Sequence, residues 1–179
     1  MIVTGIDPGK QGGIAFMDEG KNCLAYPLPQ VNGKVDVGKL QELILEYYHS
    51  WLSKHHSWLS KHHSWLSKHF TFEYKAFIEI QQVRGGQKGQ FGIAENYGRI
   101  TAILDLLSIQ IEEVRPVEWK GMLPPREEGE TDKDVSIQYC LDLEYKLPTL
   151  KPKGKKLHDG IADAICIALY GWEQIESPE

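Results

Sequence analysis

Short apolar runs separated by turn residues open the chain. Residues 1–7 form one such run, which ends at Asp7-Pro8-Gly9, a sequence that favours a turn. Two more runs follow at 12–17 and 22–26 after brief polar breaks. Apolar runs of this length between turn signals are typical of strands. The pattern therefore predicts three strands that form an antiparallel meander.

The next apolar pattern changes to helical spacing. Asp36 is a suitable N-cap, and apolar residues from Leu40 to Tyr47 recur on one stripe. Three identical copies of the sequence His-Ser-Trp-Leu-Ser-Lys-His then occupy residues 49–69. Spacing by seven keeps the tryptophans and leucines near one helical face, so we expect a helical insertion that packs on another surface. Because the copies are identical, duplication explains their histidines better than metal binding does.

Strand-like and helix-like patterns alternate over the rest of the chain. The patterns predict strands at 73–81 and 109–114 and helices at about 91–107, 133–143 and 157–171. A glycine-rich loop at 85–90 and an acidic loop at 124–132 separate some of them. This order predicts one α/β domain over residues 1–179, with a mixed five-stranded sheet flanked by helices and the heptad insertion at about 49–69.

Charge and hydropathy limit the classes of function. The formal net charge of −5 argues mildly against a nucleic-acid partner. However, five lysines concentrate between Lys146 and Lys156, and part of the negative charge lies in candidate metal ligands. No apolar run approaches the roughly 20 residues of a membrane span, and no signal peptide is visible. We therefore expect no membrane association and a cytoplasmic location, or its equivalent for an organelle or phage protein.

Two aspartates on the last predicted helix point to chemistry. Asp159 and Asp163 are four residues apart and share a helical face with Cys166 and Ile167. A solvated polar face is the simpler explanation, but a helix that is apolar nearly all round is a buried one. Two like charges near a buried helix need a counter-charge, and a divalent cation would supply it.

Two further carboxylates stand at predicted strands. Asp7 closes the first strand, where Gly9, Gly12 and Gly13 are expected to let a substrate approach the backbone. Glu79 interrupts an otherwise apolar strand, and buried glutamates are rare unless they are paired or ligating. A turn role for Asp7 and an ion pair of Glu79 with Arg84 or Arg99 remain the alternatives. Oxygen ligands alone favour Mg²⁺ or Mn²⁺ over zinc.

Three sequence motifs resemble those of RuvC-type Holliday-junction resolvases. The first is Gly5-Ile6-Asp7-Pro8-Gly9 with Gly13-Ile14-Ala15, and the second is Phe77-Ile78-Glu79 with the glycine-rich loop. The third is His158-Asp159-Gly160-Ile161-Ala162-Asp163-Ala164. Pro116-Val117-Glu118-Trp119-Lys120, with Lys133 downstream, resembles the phage-type and chloroplast-type branch of that family.

The resemblance implies an RNase H-like fold, a homodimer and Mg²⁺-dependent paired nicking of four-way DNA junctions, with two ions (Mg²⁺ or Mn²⁺) per active site. It implies that the catalytic metal ligands are Asp7, Glu79, Asp159 and Asp163, with His158 as a replacement or support for Asp159. The candidate DNA-binding residues are Arg84, Gln87, Lys88, Lys120, Lys133, Lys153, Lys155 and Lys156.

Other functions remain open on sequence alone. An RNase H-like nuclease that acts on structured RNA or another DNA would use the same acidic chemistry. A catalytically inactive DNA-binding scaffold is a second alternative, although all four carboxylates are present. An actin-like ATPase also begins with a strand, an aspartate and glycines, but 179 residues leave no room for its second domain.

Overall fold

The structure is a computed structural model that describes residues 1–55, 74–81 and 90–177. Most of the predicted heptad insertion, residues 56–69, lies outside the described residues, as do Arg84, Gln87 and Lys88. All other candidate site residues lie within the described residues.

A five-stranded mixed sheet forms the centre of the fold, as the sequence predicts. Its strands are β1 (Ile2–Asp7), β2 (Gly13–Asp18), β3 (Cys23–Pro27), β6 (Tyr74–Glu79) and β7 (Gln110–Val114). The order across the sheet is β3-β2-β1-β6-β7. The predicted antiparallel meander of β1, β2 and β3 is confirmed, and β6 and β7 extend the sheet in parallel from β1. A small hairpin of β4 (Gln30–Val31) and β5 (Lys34–Val35), which the sequence did not predict, lies outside this sheet.

Five described helices accompany the sheet. They are α1 (Val37–His55), α2 (Gln90–Leu106), α3 (Pro116–Lys120), α4 (Asp132–Asp142) and α5 (Asp159–Glu176). Four of them lie close to the predicted ranges, whereas the five-residue α3 is too short to produce a periodic pattern. Among the described residues, no helix is both long enough and apolar enough to cross a membrane.

Two apolar clusters cover the two faces of the sheet. Ile6, Phe16 and Ile78 belong to the cluster shared with α1 and α2. Val3, Met17 and Phe77 belong to the other, which includes nearly the whole length of α5. The sheet therefore lies between two helical layers, and burial of both faces explains why β1, β2 and β6 are apolar at almost every position.

Glycines allow α5 to lie directly on the sheet. A Cβ atom at Gly160 would be 1.9 Å from the Gln11 carbonyl oxygen, and one at Gly13 would be 2.5 Å from the Gly160 carbonyl oxygen. A Cβ atom at Gly5 would lie 2.1 Å from the Ala164 carbonyl oxygen. The expectation that Gly12 and Gly13 leave room for a substrate is corrected. The first turn of α5 fills the space at Gly13, and a Cβ atom at Gly12 would lie 1.9 Å from the Asp7 carbonyl oxygen of its own turn. The contact at Gly13 brings the start of α5 to the end of β1.

Candidate metal centre

Two carboxylates extend from the carboxyl ends of neighbouring parallel strands. Asp7 is the last residue of β1 and Glu79 the last residue of β6, and the strand register pairs Ile6 with Ile78. Parallel strands place their carboxyl ends at the same edge of a sheet, which is the usual position of sites in such folds. The side chain of Asp7 accepts a hydrogen bond from the Gly9 N–H at 2.9 Å, which closes the turn after β1. The two acids thus stand side by side.

The side chain of Glu79 is held by a tryptophan. Trp119 Nε1 donates a hydrogen bond to Glu79 Oε2 at 2.8 Å, and Gln81 Nε2 donates to the other oxygen at 3.3 Å. The ion pair with Arg99 that the sequence left open is not formed, because the Arg99 guanidinium donates to Glu95 and to the Val35 carbonyl oxygen. Glu79 is therefore a half-buried acid that neutral donors hold in place.

The other two carboxylates come from α5. Asp159 begins the helix and Asp163 follows one turn later, as the sequence predicts. Ser136 Oγ, on α4, donates a hydrogen bond to Asp163 Oδ1 at 2.6 Å. Lys133, also on α4, forms an ion pair with Asp159 Oδ2. The sequence indicated Lys133 as a phosphate-binding residue, and the structure places its ammonium among the acids. No sequence signal indicated Ser136.

Burial and mutual repulsion disfavour ionisation of these acids. Burial raises the pKa of Asp7 from its ordinary value of 3.8 to about 7, and the charges of Asp163 and Glu79 add to this effect. Burial likewise raises the pKa of Asp163 to about 6, although the Ser136 hydrogen bond and Lys120 oppose it. The pKa of Glu79 is raised by burial as well. These interactions show that the site concentrates negative charge that the protein alone does not neutralise.

Asp159 differs from the other three acids. Burial acts to raise its pKa, but the Lys133 ammonium outweighs that effect and the net direction is downward. The side chain of Asp159 is only 1% exposed, and its Oδ1 has no hydrogen-bond partner among the described residues. A buried carboxylate oxygen without a donor is energetically costly unless a cation completes it.

The arrangement fits a hard divalent cation. The four acids supply only oxygen atoms, repel one another and include one buried oxygen with no donor, which is what Mg²⁺ or Mn²⁺ would satisfy. The acids are nevertheless not a closed coordination sphere. Within residues 1–55, 74–81 and 90–177, no three His, Cys, Asp or Glu side chains are already grouped as a complete set of ligands. Binding would have to draw the repelling carboxylates together.

His158 has a structural role at the start of α5. It is the N-cap residue, and its Nδ1 accepts a hydrogen bond from the Ile161 N–H at 3.2 Å. Burial lowers the pKa of His158, which favours the neutral ring. A neutral ring that accepts through Nδ1 carries its proton on Nε2, so neither nitrogen has a free lone pair. This arrangement favours Asp159 over His158 as the ligand that precedes Asp163.

Basic residues lie near the carboxylates or on the loop that leads to them. Lys120, at the end of α3, forms an ion pair with Asp132 at 3.2 Å, and its charge opposes the rise in the pKa of Asp163 that burial causes. Lys153, Lys155 and Lys156 are exposed on the loop that leads into α5. A hydrogen bond of 2.8 Å from the Leu150 N–H to the Lys156 carbonyl oxygen closes this loop. The lysines therefore lie on a loop that is anchored next to Asp159.

The fold matches that of solved RuvC structures. The structure resembles that of Thermus thermophilus RuvC in complex with a Holliday junction substrate, with 18% sequence identity and a TM-score of 0.59. That match covers 98% of this chain and 95% of the other. A second Thermus thermophilus RuvC structure matches with 20% identity and a TM-score of 0.53, over 98% and 96% of the two chains. No protein-family model and no curated protein sequence matches the chain. At this identity the likeness establishes the fold.

Proposed function

We propose that this protein is a divalent-metal-dependent endonuclease that resolves four-way DNA junctions by paired nicking. The proposal rests on four carboxylates, Asp7, Glu79, Asp159 and Asp163, which lie near the carboxyl ends of β1 and β6 and on the first turns of α5, close enough for the charges of Asp163 and Glu79 to act on Asp7. The similar Thermus thermophilus RuvC was determined with a Holliday junction substrate, which supports junction DNA as the ligand to test first.

The four acids would hold Mg²⁺ or Mn²⁺, two ions per site. When bound, the cations supply an activated water and a counter-charge for the leaving oxygen of the phosphodiester. The chain's own part is to keep the acids in place. Ser136 orients one oxygen of Asp163, and the Gly9 N–H orients one oxygen of Asp7. Each of these bonds leaves the second oxygen of its carboxylate available to a ligand.

Lysines around the acids would hold the DNA backbone. We assign Lys120, Lys133, Lys153, Lys155 and Lys156 to phosphate contacts, because their positions flank the carboxylates and phosphate contacts fix the register of a protein on DNA. Arg84, Gln87 and Lys88 stay proposed contacts to the junction centre, on the basis of the sequence alone.

Paired nicking needs two active sites, and we propose that a second copy of the chain supplies the other. The outer face of α2 supports this assignment. Phe91, Ala94, Gly98 and Ala102 share one helical face and are exposed, and the Phe91 side chain is 92% exposed. A Cβ atom at Gly98 would meet no atom within 4 Å. An exposed apolar face with small residues lets two such helices approach closely.

The decisive experiment compares nucleic-acid substrates with the purified protein and Mg²⁺. We expect cleavage of a synthetic four-way junction in preference to duplex, single-stranded DNA and an RNA–DNA hybrid. Glu79→Gln should reduce junction cleavage at least about a hundredfold while junction binding stays within about twofold, because the acid holds metal and other residues hold phosphate. Glu42→Gln, on the exposed face of α1, is the matched control and should cut normally.

The alternatives give different results in the same experiment. Preferential cleavage of the hybrid or of structured RNA would reassign the substrate. Junction binding without cleavage by the wild-type protein would indicate a scaffold. Near-normal cleavage by Glu79→Gln would show that the proposed metal centre is wrong.

A further inference from the structure

A buried tryptophan connects the carboxylate cluster to the basic surface. The side chain of Trp119 is fully buried, at 0% exposure. Its indole N–H donates to Glu79 Oε2 at 2.8 Å, and its ring centroid lies 5.2 Å from Lys120 Nζ. One rigid side chain thus contacts a candidate metal ligand through its polar edge and a candidate phosphate-binding cation through its face.

The sheet fixes the position of this tryptophan relative to Glu79. The register of β6 and β7 pairs Glu79 with Val114, and α3 begins two residues later at Pro116. The backbone N–H and side chain of Arg115 donate to Glu118, which caps this short helix. Strand pairing before the helix and the Arg115–Glu118 cap therefore fix the backbone segment that carries Trp119. Its indole has little freedom to leave Glu79.

We propose that Trp119 is a positioning residue with two separable roles. Its N–H fixes one oxygen of Glu79 so that the carboxylate is oriented for a divalent cation, and its aromatic face seats the Lys120 ammonium for a DNA phosphate. The inference rests on the proposed function, since it assigns these roles within the same site. Outer residues that orient metal ligands commonly determine metal affinity, and an aromatic face attracts an ammonium group.

The chain offers a matched control in a second buried tryptophan. Trp172, on α5, is 3% exposed, and its Nε1 has no hydrogen-bond partner among the described residues. Phenylalanine at either position removes an indole N–H and a similar volume from the core. Only at position 119 does the substitution also remove a hydrogen bond to an acid of the cluster.

The first role is measured without DNA. Binding of Mn²⁺ is followed by the electron paramagnetic resonance signal of the free ion, with wild type, Trp119→Phe and Trp172→Phe at equal concentration. We expect Trp119→Phe to bind Mn²⁺ about 10- to 100-fold more weakly than wild type. Trp172→Phe should bind like wild type. Equal affinity of wild type and Trp119→Phe would overturn the first role.

The second role is measured with junction DNA and no divalent cation. Trp119→Phe retains an aromatic face under Lys120, whereas Trp119→Leu removes it. We expect junction affinity to be unchanged in Trp119→Phe and about two- to fivefold weaker in Trp119→Leu, as for loss of a partly exposed cation–π contact. Equal junction affinity of the phenylalanine and leucine variants would overturn the second role.

Two controls distinguish failure of this proposal from failure of the proposed metal centre on which it rests. Wild-type protein that binds no Mn²⁺ would overturn the metal centre itself, whereas a difference confined to Trp119→Phe concerns Trp119 alone. Thermal unfolding of all variants checks that they fold. If Trp119→Phe does not fold, the indole N–H resonances of the wild-type protein give the answer. The Trp119 resonance is the one that shifts in Glu79→Gln, and it should also shift when Mg²⁺ is added. The Trp172 resonance, which is lost in Trp172→Phe, should not shift with Mg²⁺. If the Trp119 resonance does not respond to Mg²⁺, the proposal is wrong.

Discussion

Asp7→Asn should make the metal-free protein more stable at alkaline pH while it removes a proposed catalytic group. Burial and the neighbouring acids raise the pKa of Asp7 from 3.8 to about 7. Asparagine carries no charge, and its amide oxygen can still accept the Gly9 N–H hydrogen bond. The substitution therefore removes the unfavourable ionised carboxylate and keeps the turn.

The structure sets the size and the sign of this effect. Because a tenfold change in proton affinity corresponds to about 1.4 kcal/mol, the interval from 3.8 to about 7 corresponds to about 4 kcal/mol. The folded protein binds this proton more tightly than the unfolded chain does. The stabilisation is therefore complete below pH 3.8 and is lost as the pH rises through about 7. We expect a gain of about 2–4 kcal/mol for Asp7→Asn at pH 8, because the charges of Asp163 and Glu79 supply part of the shift and rearrange with their own protonation.

The assay is urea unfolding in a chelator at pH 4, 6 and 8, followed by circular dichroism. The unfolding free energy of Asp7→Asn minus that of wild type should be largest at pH 8. It should fall to about 1 kcal/mol or less at pH 4, where the folded wild type carries a neutral Asp7 and the variant a neutral asparagine. Asp105→Asn, on the exposed side of α2, is the matched control and should change stability by less than about 0.5 kcal/mol at each pH. Added Mg²⁺ should stabilise wild type more than Asp7→Asn.

Two results would refute this reasoning. If Asp7→Asn is no more stable than wild type at pH 8, the carboxyl is not electrostatically disfavoured. If the gain is equal at pH 4 and pH 8, its origin lies in packing and not in ionisation.

Two further predictions concern the DNA surface and assembly. Simultaneous replacement of Lys153, Lys155 and Lys156 by alanine should weaken junction binding and reduce the slope of log affinity against log salt by about 2–3, and an unchanged slope would place this loop outside the interface. Gly98→Arg should convert the proposed dimer to a monomer that still unfolds cooperatively, because the position is open in the single chain. Sedimentation measurements that show the same mass for Gly98→Arg and wild type would place the interface elsewhere.

The elements that the sequence predicted correctly have strong local signals. Each strand of the meander is an apolar run bounded by turn residues, and Asp159 and Asp163 share a face through helical spacing alone. The sequence drew attention to Glu79 as a candidate functional residue because a charge in an apolar strand is unusual. The hairpin at Gln30–Val35 and the helix at Pro116–Lys120 were not recognisable, because such short elements produce no periodicity.

The contacts around the acids depend on tertiary packing and could not be predicted. Ser136 meets Asp163 only because α4 packs against α5, and the sequence separates the two residues by 27 positions. Lys133 was predicted to bind phosphate because the sequence resembles the resolvase family. That resemblance carries no information about the ion pair between Lys133 and Asp159. Gly13 was misinterpreted for the same reason, since the space beside it is filled by α5, which is distant in the sequence.

The position of α5 in the chain has a consequence for biosynthesis. This helix supplies two of the four acids, packs along β1 and β2, and is translated after every other described element of the sheet. Synthesis proceeds from the N-terminus at about 5–20 residues per second, so the strands of the meander are made several seconds before Asp159. A chain at that stage exposes the apolar face that α5 later covers and lacks half of the carboxylates. A ribosome-bound or prematurely terminated chain would therefore be sensitive to proteases, and the proposed metal centre would be complete only after α5 has packed on the sheet.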